Sequence, residues 1–238
     1  LLTNCDGDHF DYYATNDEYR ESFAQFVQKL PADGLFITHG GDPDCRDVAE
    51  RSGRAFMDAD TLPLIPLQTP GLHMRQNAQL VLALAEALGI PQKKAVQAVS
   101  GYTGSWRRME LRGRLNGAPV YDDYGHHPRE ITATLAGLRE EHPKARILCA
   151  FQPHTHHRTR ALYDAFTRSF TDADTVIIPN IYAARADRDA EKVDVETFCG
   201  DIAKNSACEC RNGASLAETE NLLRSIAKPD DVIVCMGA

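Results

Sequence analysis

The sequence predicts an α/β fold in two blocks, the second built on a mostly parallel sheet. From about Arg107 to Ala238, short apolar runs alternate with amphipathic stretches. That is the pattern of buried parallel strands covered on both faces by helices. Up to about Trp106, helical spacing dominates and strands are few. With 238 residues, 43% of them apolar, the chain has material for one or two domains with sizeable cores.

The elements follow in order. A short opening strand leads into the polar turn Thr3-Asn4-Cys5-Asp6-Gly7-Asp8-His9. Phe23, Phe26, Val27 and Leu30 recur at helical spacing and predict a helix over 17–30. A strand is predicted at 34–38, then the turn Gly40-Gly41-Asp42-Pro43, then a short helix capped by Asp44 that ends near Gly53. The Pro-rich 62–70 stretch reads as loop or edge strand. Helices over 73–88 and 91–99 follow, the first stopped by Gly89 and the second opened by Pro91. In the second block, strands are predicted at 119–122, 146–151, 175–178 and 231–235, with a weaker one near 207–210. Helices are predicted at 128–141, 158–170, 194–204 and 216–226.

A net charge of -8 argues against a nucleic-acid binder, which usually carries a basic face. No apolar run reaches the roughly 18 residues of a membrane span. Leu1-Leu2-Thr3-Asn4 lacks the charged start of a secretory signal. Seven cysteines at irregular spacing, with Cys149 and Cys235 inside apolar runs, suit reduced thiols in a cytoplasmic enzyme rather than a disulfide framework.

Ligands of parallel sheets bind beyond the carboxyl ends of the strands. In the second block these ends are loaded. The first continues Asp122-Asp123-Tyr124-Gly125-His126-His127-Pro128. The second continues Phe151-Gln152-Pro153-His154, then His156, His157, Arg158 and Arg160. The third continues Pro179-Asn180-Ile181-Tyr182, then Arg185. Guanidiniums grip carboxylates and phosphates bidentately, and imidazoles orient or deprotonate amines. The bland alternative is three polar exposed loops; a zinc site from His154, His156 and His157 is a weaker one, since no carboxylate or cysteine completes it. Asp6, Asp8, His9 and Asp11 crowd a second turn. They read equally as a Mg²⁺ holder or as a helix entry whose negative charge suits the helix dipole. Arg107-Arg108 at the block junction reads as a phosphate clamp or as a surface pair.

These motifs resemble the Mur ligases. Asn4 through Tyr13 resembles their Asn-x-x-x-Asp-His-Leu-Asp segment, and Pro70-Gly71-Leu72-His73 through Asn77-Ala78 their Pro-Gly-x-His-Asn-x-x-Asn-Ala element. Arg107-Arg108-Met109-Glu110 resembles the Arg-Arg-Phe-Glu junction. Asp122 through Pro128, Phe151-Gln152-Pro153-His154 and Ile181-Tyr182-Ala183-Ala184-Arg185 look like the alanine-adding branch.

The resemblance implies the tail of a central nucleotide-binding domain (1–106) followed by a Rossmann-like, amino-acid-binding C-terminal domain (107–238). It implies an ATP-driven, Mg²⁺-dependent ligase of peptidoglycan precursor synthesis that joins L-alanine to UDP-N-acetylmuramate. Carried over by motif, His9 ligates Mg²⁺, and His73 and Asn77 lie at the adenine or ribose. Arg108 reaches the ATP phosphates, and Asp123 holds the ribose side. Tyr124, His126, His154 and Arg158 form the alanine pocket, with Arg158 on the carboxylate; Arg108, His126 and His154 are the catalytic candidates. The absence of a lysine in Ser22-Phe23-Ala24-Gln25 also fits the alanine branch. Departures are Met74 for the first motif Asn, Asp6 for Glu, Thr155 where many alanine-adding enzymes carry Arg, and a short 53–70 stretch. No Gly-x-x-Gly-Lys-Thr-type loop occurs, so the resemblance places the phosphate loop, a catalytic Glu and the UDP-binding domain upstream of Leu1. The runners-up are the recycling ligase that adds a whole peptide, which carries Phe-Ala in place of Tyr124-Gly125, and a non-catalytic nucleotide- or metabolite-binding module.

Overall fold

The computed structural model describes residues 1–10, 12–183 and 192–238. Asp11, Ala184 and Arg185, singled out above, lie outside the described residues. The chain divides into two compact units, Leu1–Thr103 and Gly104–Ala238.

The first unit contains α1 (Asn16–Gln28), β1 (Ile37–Thr38), α2 (Pro43–Ser52), β2 (Met57–Asp58), a 3-10 turn at Ala59–Thr61, α3 (Leu72–Ala87) and α4 (Gln92–Ser100). Helix α1 opens on Thr15, whose hydroxyl accepts the Glu18 amide. One face of it buries Ala24 and Val27 against Phe36 and against Cys45, Val48 and Ala49 of α2. The cap of α2 is Asp42, not Asp44: its carboxylate accepts the amides of Asp44 and Cys45, each at 3.0 Å. Pro43 then takes the first helical position, where a missing N–H costs nothing. The expected opening strand is not a strand. Leu2 makes one backbone bond to Ile37 (3.0 Å) and accepts the Thr38 hydroxyl (2.9 Å), without a continuing ladder. Strands β1 and β2 pair in parallel over two residues each.

The second unit is a six-stranded sheet. Its strands are β3 (Glu110–Leu115), β4 (Ala118–Asp123), β5 (Ile147–Phe151), β6 (Thr175–Pro179), β7 (Glu209–Ala214) and β8 (Val232–Met236). The spatial order is β3-β4-β8-β5-β6-β7. Only β3 runs antiparallel, hairpinned to β4. The helices are α5 (Pro128–Glu141), α6 (His156–Ala161), α7 (Tyr163–Thr167), α8 (Val195–Ser206) and α9 (Leu216–Ile226).

Strand alternation assigns the two faces. Ile147, Cys149 and Phe151 point into a core with Ile131, Leu135 and Leu138 of α5, Phe166 of α7 and Phe198 and Ile202 of α8. Leu148, Ala150, Ile177 and Ile233 point the other way, against Leu223 of α9 and Ala227. All seven cysteines are free thiols, and burial pushes the Cys149 thiol well above its ordinary range.

Two differences from the expected elements have clear causes. Strand β3 reads Glu-Leu-Arg-Gly-Arg-Leu, with an exposed middle and no apolar run to announce it. The turn that makes it, Asn116-Gly117, has φ of 52° and 94°, the left-handed pair that a tight hairpin needs. The helix expected over 158–170 is two pieces, broken at Leu162, whose φ and ψ of -112° and 20° are not helical.

The core edge carries an ion pair with a pH signature. The Asp231 side chain, 5% exposed, is held by Arg146 through two contacts of 3.0 and 2.6 Å. Burial alone would raise this carboxyl, but the Arg146 guanidinium and the Lys228 amide outweigh it and hold it below the usual range. A depressed carboxyl stabilises the fold above its unfolded pKa of about 4 and loses that contribution as pH falls through the folded value. Arg146→Met is therefore expected to be less stable than wild type at neutral pH and to lose less on acidification. Urea melts from pH 7 down to about pH 3 check this; parallel curves would refute it.

Candidate active site

Strands β4, β8 and β5 end level with one another: Asp123 pairs with Met236, and Phe151 pairs with Met236. The loops after β4 and β5 therefore leave the same edge. They are separated by β8 and so by about 10 Å, two strand spacings. Gly237 continues from β8 between them, donating to the Asp123 carbonyl at 3.2 Å. At φ 144° it lies where side chains are strained, and a Cβ there would meet the Gln152 carbonyl at 2.9 Å.

The β4 loop is pinned from below. Asp123 is 3% exposed. Its oxygens accept the amides of Gly125 (2.7 Å) and Met109 (2.9 Å). Burial raises this carboxyl despite those amides and Arg108. Glu130, in the first turn of α5, accepts the amides of His126 (2.9 Å) and His127 (3.1 Å). Burial pushes the Glu130 carboxyl up, but these amides, His126 and Arg108 bring it below its usual range, so it is an anion at neutral pH.

His126 Nδ1 lies 3.0 Å from the Tyr124 carbonyl. A carbonyl only accepts, so Nδ1 carries the hydrogen and Nε2 the lone pair in the neutral ring. Glu130 sits 3.7 Å from the same Nδ1, placed to stabilise the ring once Nε2 takes a proton. The Tyr124 ring meets His126 edge-on at 5.4 Å. Arg108 stands 3.4 Å from Glu130 with 45% of its side chain exposed.

The β5 loop has the opposite arrangement. Arg158 Nη1 donates to His154 Nδ1 at 3.3 Å. A guanidinium only donates, so Nδ1 is the acceptor and Nε2 carries the hydrogen in the neutral ring. Tyr182 stacks on His154 at 5.3 Å with planes 21° apart. The backbone holds that stack: Tyr182 donates to the Pro153 carbonyl and Thr155 to the Tyr182 carbonyl, each at 2.9 Å. Thr155 takes a left-handed φ of 67°, and its hydroxyl accepts the Arg158 amide at 3.2 Å. One edge thus offers a proton-accepting imidazole, a proton-donating imidazole, two tyrosines and two guanidiniums.

His156 does not join this group: its Nδ1 accepts the Val193 amide at 3.1 Å. Among the described residues, no three His, Cys, Asp or Glu side chains gather closely enough to hold a metal ion. This overturns the zinc alternative. Asp6, Asp8 and His9 do not form such a group by themselves, and Asp11 lies outside the described residues. His9 is exposed at φ 55°, its amide bonded to Asp8 at 2.7 Å. Mg²⁺ takes about six oxygen-rich ligands, more than Asp8 and His9 supply.

In the first unit, Asn77 and Met74 of α3 line a cavity of about 440 Å³ with Leu67, Ala78, Val81, Ala98, Val99 and Tyr102. Its lining is apolar apart from the Asn77 carboxamide and the Tyr102 hydroxyl. His73 sits in the first turn of the same helix.

Sequence reasoning missed Glu130 and Gly237. Glu130 was findable, because His127 and Glu130 stand at capping-box spacing and do form that box. Gly237 was not, because its importance comes from lying between two loops far away in sequence.

Known proteins resemble this chain over nearly its whole length. The chain is 30% identical to the UDP-N-acetylmuramate–L-alanine ligase of Clostridium novyi, over 100% of this chain and 57% of that protein. It thus spans little more than half the length of the curated relatives it matches. Two solved structures share its fold. They are the UDP-N-acetylmuramate-alanine ligase of Thermotoga maritima (TM-score 0.70, 22% identity, 99% of this chain and 55% of that one) and the murein peptide ligase of Psychrobacter arcticus (0.68, 21%, 99% and 53%). No helix among the described residues is long and apolar enough to cross a membrane. Residues 107–238, more than half of the chain, match the family described as "Mur ligase, glutamate ligase domain", and the chain belongs to the Mur ligase family.

Proposed function

We propose that this chain is the part of an ATP-dependent ligase that binds the nucleotide base and the amine substrate, joining L-alanine to the lactyl carboxylate of UDP-N-acetylmuramate. The observation that carries the reading is the pair of oppositely polarised imidazoles, His126 and His154, on one sheet edge beside Arg158.

In the proposed reaction a carboxylate oxygen attacks the γ-phosphorus of ATP. The bridging P–O bond breaks, leaving ADP and an acyl phosphate. The amine nitrogen then attacks the acyl carbon, the C–O bond to phosphate breaks, and an amide forms. Nitrogen must lose a proton for this, and His126 Nε2 accepts it, with Glu130 stabilising the imidazolium. Arg158 takes the carboxylate of the amino acid bidentately. His154, with its hydrogen on Nε2, donates to an oxygen of the same substrate. Tyr124 walls the pocket, and Thr155 stands where many alanine-adding enzymes carry an arginine. Arg108 is proposed for ATP phosphate oxygens, Asp123 for the ribose side through its fixed loop, and Asn77, with His73, for the base. Holding amine and acyl carbon together supplies much of the acceleration.

The test is alanine-dependent phosphate release from ATP and UDP-N-acetylmuramate by the parent-length protein. His126→Gln, which cannot take the proton, is expected to lower kcat by about 10²-fold or more. No release in the parent with L-alanine, glycine, L-serine or a peptide would end the ligase reading. Release with the peptide alone would move it to the recycling ligase.

A further inference from the structure

The ring of Tyr124 lies on an outward loop and is 38% exposed, yet its support comes from a residue seventeen positions earlier in the chain. Arg107 meets it twice. The Arg107 carbonyl accepts the Tyr124 amide at 2.8 Å, and the Arg107 guanidinium lies 4.8 Å from the ring centroid. A guanidinium at that distance from a phenol ring is attracted to its face. The same guanidinium donates to the Gly237 carbonyl at 2.7 Å and sits 3.3 Å from the Asp122 carboxylate. One planar head thus ties together the end of β4, the Tyr124 ring and the chain leaving β8. The Arg107 backbone is left-handed, φ 53°, which is uncommon for a non-glycine residue. Its amide is taken by Glu110 at 3.0 Å, which holds that conformation. Arg108, the next residue, is different: its guanidinium is farther from the ring, 5.9 Å, and stands 3.4 Å from Glu130 with 45% of the side chain exposed.

We infer that Arg107 is a positioning residue for Tyr124, setting the ring that walls the amine-substrate pocket, while Arg108 faces ligand. The inference rests on the ligase reading above. A lysine cannot replace Arg107 fully, because a point charge can satisfy Gly237 or face the ring but lacks the planar fork that does both.

The experiment is a double-mutant cycle in the parent-length enzyme, with Arg107→Met, Arg107→Lys, Tyr124→Ala and the combinations. KM for L-alanine, KM for ATP and kcat are measured, with thermal melts alongside. Arg107→Met is expected to raise KM for L-alanine about tenfold and KM for ATP less than twofold; Arg107→Lys should recover part of the loss. In the Tyr124→Ala background, either Arg107 change should add less than twofold, since the ring it positions is gone. If Arg107→Met does not fold, the lysine variant carries the cycle. Additive losses, or a loss that falls on ATP instead, overturn the inference while leaving the ligase reading intact. A wild-type parent without amino-acid-dependent turnover overturns both.

Discussion

Arg158→Ala in the parent-length enzyme is expected to lower kcat/KM for L-alanine by about 10²- to 10³-fold, mostly through KM, with KM for ATP little changed. Two losses combine. The guanidinium proposed to grip the substrate carboxylate disappears, and breaking such a pair while leaving the other charge in a confined site costs several kcal/mol. The donor 3.3 Å from His154 Nδ1 also disappears, which removes one contact that holds that nitrogen as an acceptor. Arg158→Lys should recover less than a tenth of the loss, because an ammonium cannot bond the carboxylate bidentately and reach His154 together. Alanine titrations of phosphate release separate KM from kcat. An unchanged KM for alanine in Arg158→Ala would remove this residue from the pocket.

Asp123→Ala is expected to destabilise the second unit by about 3 kcal/mol. The change strips the acceptor from two amides, Gly125 and Met109, in a spot where the residue is 3% exposed and water cannot easily replace it. Met109 is left-handed at φ 48°, so losing its partner also releases a strained backbone. Burial raises this carboxyl. A raised folded pKa means that stability is given up as pH rises from the unfolded value of about 4 through the folded one. Asp123→Asn removes that pH dependence and keeps one acceptor, so it should fall between wild type and Ala. Urea melts of this chain at pH 5 and pH 8 read both effects. A midpoint for Asp123→Ala equal to wild type would show that the loop is held by something else.

Much of the fold is legible in the residues because the second unit is regular. Apolar runs such as Ile147–Phe151 and Thr175–Pro179 are buried throughout, which no solvated loop tolerates. Helix α9 falls where the pattern put it, because a Ser215–Glu218 capping box marks its start. Strand β3 escaped because its face is charged and exposed; only Asn116-Gly117 betrayed it. The helix expected after His154 is two pieces: apolar periodicity continues across Leu162 while the helical backbone does not.

The candidate site divides in the same way. The residue types on the strand ends were evident from order along the chain: a parallel sheet places every such loop on one edge, whatever the strand order. That reasoning brought out Tyr124, His126, His154 and Arg158, and the motifs they form named the family. Three things came only from the tertiary structure. The last strand, β8, is inserted between β4 and β5, and so sets the spacing of the two histidine loops and brings Gly237 between them. The tautomers of His126 and His154 depend on whether each Nδ1 faces a carbonyl or a guanidinium, and in each case the partner's position is fixed by folding. Asp123 and Arg107 stand in sequence beside other ligand candidates; the fold sets the Asp123 carboxylate on the Gly125 and Met109 amides and the Arg107 guanidinium on Gly237 and Tyr124. The sequence determined which chemistry is present, because composition and strand order are local. Only the packed structure decided which of these groups are tied to backbone and which stay open at the edge, because that depends on contacts between residues far apart along the chain.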